Sequence, residues 1–171
     1  IDYSLVADTL KKNNRIKKIL SVNNDKSKES IDKIYELTPF LYFLPETERL
    51  FLSSPASRRN FLDQLIFTYM NKYNRIINEY SKYLIERSKI LCKNNYDESW
   101  LETLERNISN NALKIYSLRE KQTNLLVDNL NDNLNNFDLP IKIKIKLNDK
   151  FYKNSISQEF YEKELKNNRK F

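Results

Sequence analysis

The sequence predicts a mainly helical α+β fold in which a long antiparallel helical hairpin, an arm, is inserted between strands. Three observations predict it. From Pro55 to about Leu91 no residue breaks a helix, and apolar side chains recur at three- and four-residue steps. The run Lys93-Asn94-Asn95-Tyr96-Asp97 interrupts that pattern, and a second helical stretch follows to about Asn135. Stretches rich in alternating or β-branched residues stand on both sides of this pair.

Residues 1–7 read as a strand, and Arg15 to Val22 as a second. Asn23-Asn24-Asp25 is turn chemistry, because short polar side chains tolerate left-handed backbone and bond locally. Lys28 to Leu37 follows as a short helix, with Ile31, Ile34 and Leu37 at helical spacing. Pro39 to Leu44 is apolar on both faces, as an interior strand would be. Pro45 ends it, and Glu46 to Leu52 connects onward.

The first long helix has a defined start. Ser54 can cap it, Pro55 suits the first helical position, and Phe61, Leu62, Leu65 and Ile66 begin an apolar face. Its seam continues through Tyr69, Tyr73 (or Lys72), Ile76, Tyr80, Tyr83 and Leu84. As one helix it would be about 55 Å long. Arg58 and Arg59 lie in its first turns, where the helix dipole disfavours cations by roughly a few tenths of a kcal/mol. Either they meet an anion, or Arg59 pairs with Asp63 at i, i+4 spacing.

Asp97 is the expected cap of the second helix. Its seam is Leu101, Leu104, Ile108, Ile115, Leu118 and Leu125, interrupted by Asn111 and Gln122. The Asn-rich stretch from Asn129 to Asn136 is expected to fray. Long helices joined by a short loop fold back on each other, so an antiparallel hairpin is expected; a bundle with broken helices is the alternative. After Pro140, Ile141 to Leu147 alternates strictly between apolar residues and Lys142, Lys144 and Lys146. Such a lysine row either tracks a phosphate backbone or is a solvated, edge-protecting face. A last helix is expected from Ser155 to Asn168, with Phe160, Tyr161 and Leu165 inward.

Composition narrows the function. Among 171 residues there is no His, which removes imidazole acid–base chemistry and most zinc sites. There is no Gly, where average usage would give about a dozen. Phosphate-cradling loops need Gly for positive φ and close backbone approach, so neither a Walker nor a dinucleotide loop lies in this stretch. No catalytic residue or metal-ligand set stands out. The single Cys92 excludes an internal disulfide and fits a reducing compartment. No apolar run reaches membrane-spanning length. The net charge of +7 favours an anionic partner such as DNA, RNA or an acidic protein. The chain begins with Ile1 and its only Met is Met70, so it is expected to be part of a longer protein.

Pro45-Glu46-Thr47-Glu48-Arg49-Leu50-Phe51, then Ser54-Pro55-Ala56-Ser57-Arg58-Arg59-Asn60-Phe61-Leu62-Asp63, resembles the central block of the RecF family of bacterial recombination mediators. Tyr80, Glu86-Arg87-Ser88 and Leu91 resemble the family's first arm helix, and Trp100-Leu101 with Ile115 to Arg119 its second. Phe160-Tyr161, Leu165 and Asn168-Arg169 resemble the stretch before its Gly-Pro-His block. Ser88, Leu44 and Thr47 depart from the pattern. The family's Gly-rich loop, ABC-type signature and magnesium-holding acidic strand are missing here.

The resemblance implies the middle of an ABC-type, SMC-related ATPase. Residues 1–53 would belong to the head, 54–136 to the arm, and 137–171 to a return strand and helix. It implies ATP and Mg2+ as cofactors of the parent, with none within this segment. It implies ATP-dependent homodimerisation on single-stranded and gapped double-stranded DNA, and cytoplasmic work with RecO and RecR to load RecA in recombination and the SOS response. Glu46 would occupy a Q-loop-like position sensing nucleotide and magnesium. Arg49, Arg58 and Arg59 would contact DNA or form the joint between head and arm, with Pro55, Phe61, Leu62 and Asp63 as the structural motif. An insertion of another SMC- or ABC-type ATPase, or a non-enzymatic helical adaptor for a protein partner, are the alternative readings.

Overall fold

The computed structural model describes residues 4–12, 15–37, 41, 49–50, 52–93, 96–137, 140–153 and 157–169. The strand expected over Pro39 to Leu44 falls outside these residues apart from Leu41, and so does the segment from Pro45 to Glu48 that contains Glu46. The chain divides into two compact units, Ile1–Leu44 and Pro45–Phe171.

In the first unit, β1 (Leu5–Lys12) and β2 (Arg15–Val22) pair antiparallel, from Leu5 opposite Val22 to Lys12 opposite Arg15. β1 lies further along the chain than residues 1–7 suggested, because its register follows that of β2. Asn23 and Asn24 then take φ of 51° and 66°. In a chain without glycine, asparagine is the residue that enters this left-handed region at least cost. Asn23 Oδ1 accepts from the Ser4 N–H at 2.8 Å, tying the turn to the start of β1. Asp25 accepts from Ser30 Oγ, from Ser27 Oγ (2.7 Å) and from Ser27 N (2.8 Å), and Ser27 Oγ accepts from Ser30 N. The Ser30 and Ser27 hydrogen bonds hold the Asp25 carboxyl down at about 2. These bonds fix the start of α1 (Lys28–Leu37), which packs on β2; Val22 and Ile34 are buried.

The second unit is built around one long helix. α2 (Pro55–Tyr69) and α3 (Lys72–Leu91) lead to α4 (Glu98–Asn136), which is 39 residues, or about 58 Å, long. A one-turn helix α5 (Lys150–Lys153) and α6 (Gln158–Asn167) follow. α2, α3 and α6 all pack on α4. The expected caps form: Ser54 Oγ accepts from Ser57 N at 3.2 Å, and Asp97 Oδ1 from Trp100 N at 3.2 Å. α3 and α4 make the antiparallel hairpin.

Four expectations need correction. The helix starting at Pro55 is broken: Met70 has φ −135° and ψ 81°, and Asn71 begins a new helix. The break lets Tyr73 Oη reach Asp63 Oδ1 at 2.6 Å. In a straight helix those residues would be about 15 Å apart along the axis, beyond side-chain reach. The Asn-rich stretch does not fray. Asn129 and Asn133 each donate to a carbonyl one turn back, and the helix runs to Asn136. Ile141 to Leu147 joins no strand among the described residues, although exposure alternates from Lys142 to Leu147 as in extended chain. The side-chain amide of Asn131 takes the place of a neighbouring strand, accepting from Ile143 N (2.8 Å) and donating to Ile143 O (3.0 Å). The last helix starts at Gln158, capped by Ser157, rather than at Ser155.

Two apolar clusters hold the unit together. Ile66, Tyr73 and Ile115 join α2, α3 and α4. Ile108, Ala112, Phe151 and Tyr161 join α4, α5 and α6, with Tyr80, Tyr83 and Leu84 of α3 packed against them. Phe151 stacks on Tyr161 with ring centroids 4.4 Å apart, and Tyr80 Oη lies 2.8 Å from Tyr161 Oη. Burial pushes the phenols of Tyr73, Tyr116, Tyr152 and Tyr161 above their ordinary range.

A phenol whose folded pKa exceeds its unfolded value stabilises the fold fully below about pH 10, and that contribution is lost as pH rises further. Helicity and phenol ionisation, followed together in an alkaline titration, should therefore change in one step above the pH at which exposed tyrosines ionise. Complete phenol ionisation near pH 10 with helicity intact would contradict this. Among the described residues no helix is long and apolar enough to cross a membrane.

Candidate nucleic-acid interface

The first turns of α2 carry the arginines singled out in the sequence. Arg58 and Arg59 are both exposed, and Arg58 Nη1 donates to Ser53 O at 2.6 Å, just ahead of the helix. The local pairing of Arg59 with Asp63 is not what forms. Asp63 is held by Arg119 of α4 through Nε at 2.8 Å and Nη2 at 2.7 Å, and by the Tyr73 hydroxyl. Both Asp63 oxygens are thus engaged by residues of other helices. Burial works against the charged form of Arg119, yet the hydrogen bonds to Asp63 and its charge hold the guanidinium above its ordinary value. Arg59 is left pointing outward, with no ion pair among the described residues.

A groove of about 460 Å³ opens beside these residues, between α2, α4 and the extended segment after Pro140. Leu62 and Leu126 line one side, and Ile143, Ile145 and Leu147 the other. Arg58 and Arg59 stand along it, with Lys144 and Lys146 on the extended segment. Both lysines are exposed, while Ile143, Ile145 and Leu147 on either side of them are partly buried. Asp149 also lines the groove, but its carboxylate accepts from Phe151 N (2.9 Å) and Tyr116 Oη (3.3 Å).

Of the other residues singled out, Pro55 occupies the first helical position, Phe61 is half-buried and Leu62 is buried. Arg49 is exposed, one residue before Leu50 at the groove wall. Glu46 lies outside the described residues. Among the described residues no cluster of side chains is suited to a metal ion.

A second ionic brace lies further along α4. Glu105, only 1% exposed, accepts from Arg87 Nε of α3 at 3.0 Å and from Arg169 Nη2, beyond α6, at 2.6 Å. Arg87 Nη2 also donates to Leu165 O at 2.7 Å. Sequence reasoning gave Glu105 no role, placed Tyr73 only in the apolar seam and Arg119 only in the family resemblance, and found none of their partners. Their partners are 10 to 64 residues away in the chain, where no local spacing rule operates.

The second unit is thus a helical hairpin braced by buried ion pairs, with a cationic groove along its longest helix. The relatives it resembles share one name, RecF. The chain is 26% identical over 123 residues to the DNA replication and repair protein RecF of Rickettsia bellii (strain OSU 85-389), covering 72% of this chain and 34% of that protein. It is 34% identical over 95 residues to the same-named protein of Rickettsia prowazekii, covering 52% of this chain and 26% of the relative. With that of Rickettsia akari it shares 28% identity over 137 residues, 76% of this chain and 36% of the relative. The likeness to RecF drawn from the residues is thus borne out, and the chain spans about a third of the length of these curated relatives. No family model and no solved structure matches it.

Proposed function

We propose that this chain is the arm-bearing middle part of a RecF-like DNA replication and repair protein, and that it supplies part of the DNA-binding surface. In this reading residues 1–53 belong to an ABC-type head, 54–136 form the arm, and 137–171 return toward the head. The parent binds single-stranded and gapped double-stranded DNA in the cytoplasm as an ATP-dependent homodimer. With RecO- and RecR-like mediators it helps to load RecA. ATP and Mg2+ are held by other parts of the parent, because a chain without glycine offers no loop that could cradle a triphosphate.

The observation that carries the reading is the capture of Asp63 by Arg119. It removes the local carboxylate from Arg59 and leaves the helix-start arginines beside a groove that also carries Lys144 and Lys146. Four cations along one groove suit a polyanion. In the full-length protein, Arg59→Ala should weaken binding to gapped DNA. It should also flatten the slope of log affinity against log salt by about 0.9 for one lost phosphate contact on duplex. An unchanged slope removes Arg59 from the interface.

A further inference from the structure

Resting on that reading, we propose that the groove between α2, α4 and residues 143–147 is a single-strand site. Unstacked bases lie against its apolar walls, and Arg58, Arg59, Lys144 and Lys146 take the flanking phosphates.

Size is the first argument. A cavity of about 460 Å³ falls in the range of roughly 300–1,000 Å³ that holds small-molecule ligands. That volume is enough for a base with its sugar.

Chemistry is the second. A surface for duplex backbone alone needs cations and no apolar recess, yet here Leu62 and Leu126 face Ile143 and Ile145 across the groove. Single-strand sites combine such a surface for base faces with a basic track for phosphates. The groove's carboxylate, Asp149, is engaged by Phe151 N and Tyr116 Oη and leaves the positive charge dominant.

Spacing is the third. Lys144 and Lys146 are two residues apart on extended chain, so their stems are about 6.6 Å apart. That matches successive phosphates of a stretched strand, while Ile145 between them lines the groove. A peptide rich in acidic residues would satisfy the charge, but it has no use for paired apolar walls at base depth beside each lysine.

The test places an indole in the groove of the full-length protein as Leu126→Trp, with Leu147→Trp on the opposite wall as an independent second reporter. The native Trp100 lies about 39 Å away along α4 and serves as internal reference. The probes are an oligothymidylate, a blunt duplex of the same length and an oligoglutamate peptide. The expected result is quenching of both introduced indoles by the oligothymidylate alone. Adding Lys144→Ala and Lys146→Ala should flatten the salt slope of that quenching by about 1.4, for two single-strand phosphate contacts. Indoles unmoved by oligothymidylate that nonetheless binds, measured by anisotropy, overturn the groove site and leave the DNA-binding reading standing. Quenching by the duplex or by oligoglutamate also overturns it. Absence of any DNA binding by the unmodified protein overturns both.

Discussion

Replacing Glu105 with alanine should destabilise the helical unit by about 3–5 kcal/mol and loosen α6 on the hairpin. The carboxylate is buried, and its two guanidinium partners are only 12% exposed. Removing it strands two cations away from water, which costs more than the net value of the pairs themselves. The ionic contacts that remain are weak, which leaves α6 held by Phe160, Tyr161 and Leu165 in the apolar cluster. Arg169 keeps a contact to Glu98, but that glutamate is 74% exposed, and Lys166 to Glu102 is a surface pair worth little. A ten-residue helix depends on its packing in water, so amide exchange in α6 should rise. The check is hydrogen exchange of residues 158–167 together with the denaturation midpoint. If both match the unaltered protein, Glu105 does not fasten α6. Replacing Arg87, Glu105 and Arg169 together by apolar residues should recover much of the loss, because the uncompensated charges go with the pair.

Local chemistry was legible in the sequence, and long-range choices were not. Ser54 with Pro55, Asp97, and the Asn23-Asn24-Asp25 turn act on backbone within a few residues, so residue type alone locates them. The buried face of α4, with Leu101, Leu104, Ile108 and Ile115, follows from a period of 3.6. The break at Met70 carries no proline or glycine. It follows from tertiary demand, since α2 and α3 both pack on α4 and Tyr73 turns back to Asp63. One trace of it was present, in that the seam could be drawn through either Lys72 or Tyr73, the mark of a register slip. The extended segment alternated like a strand because alternation reports an extended chain with one buried face. It does not report what supplies the hydrogen bonds, and here Asn131 supplies those of Ile143. At the groove, Arg58 and Arg59 were visible as an oddity of charge placement. The reason that Arg59 stays outward was not, because Arg119 is 56 residues from Asp63.

Asp63 offers the sharpest distinction between the local pairing and the cross-helix lock. Asp63→Ala should cost about 2–4 kcal/mol, somewhat below the range for a fully buried pair because Asp63 and Arg119 are 19% and 15% exposed. It leaves the guanidinium of Arg119 and the hydroxyl of Tyr73 without their acceptor, beside the buried Ile66 and Ile115. Arg59→Ala, by contrast, should move stability by no more than about 0.5 kcal/mol, as exposed substitutions do. Double-mutant cycles make the assignment quantitative. Asp63 with Arg119 should give a coupling of about 1–3 kcal/mol, and Asp63 with Arg59 a coupling near zero. The reverse pattern would mean that the carboxylate serves its own helix in solution, and Arg59 would then have no unpaired charge to offer a phosphate. The same cycle therefore bears on function. Arg59 can face an anion only as long as α4 keeps Asp63 occupied.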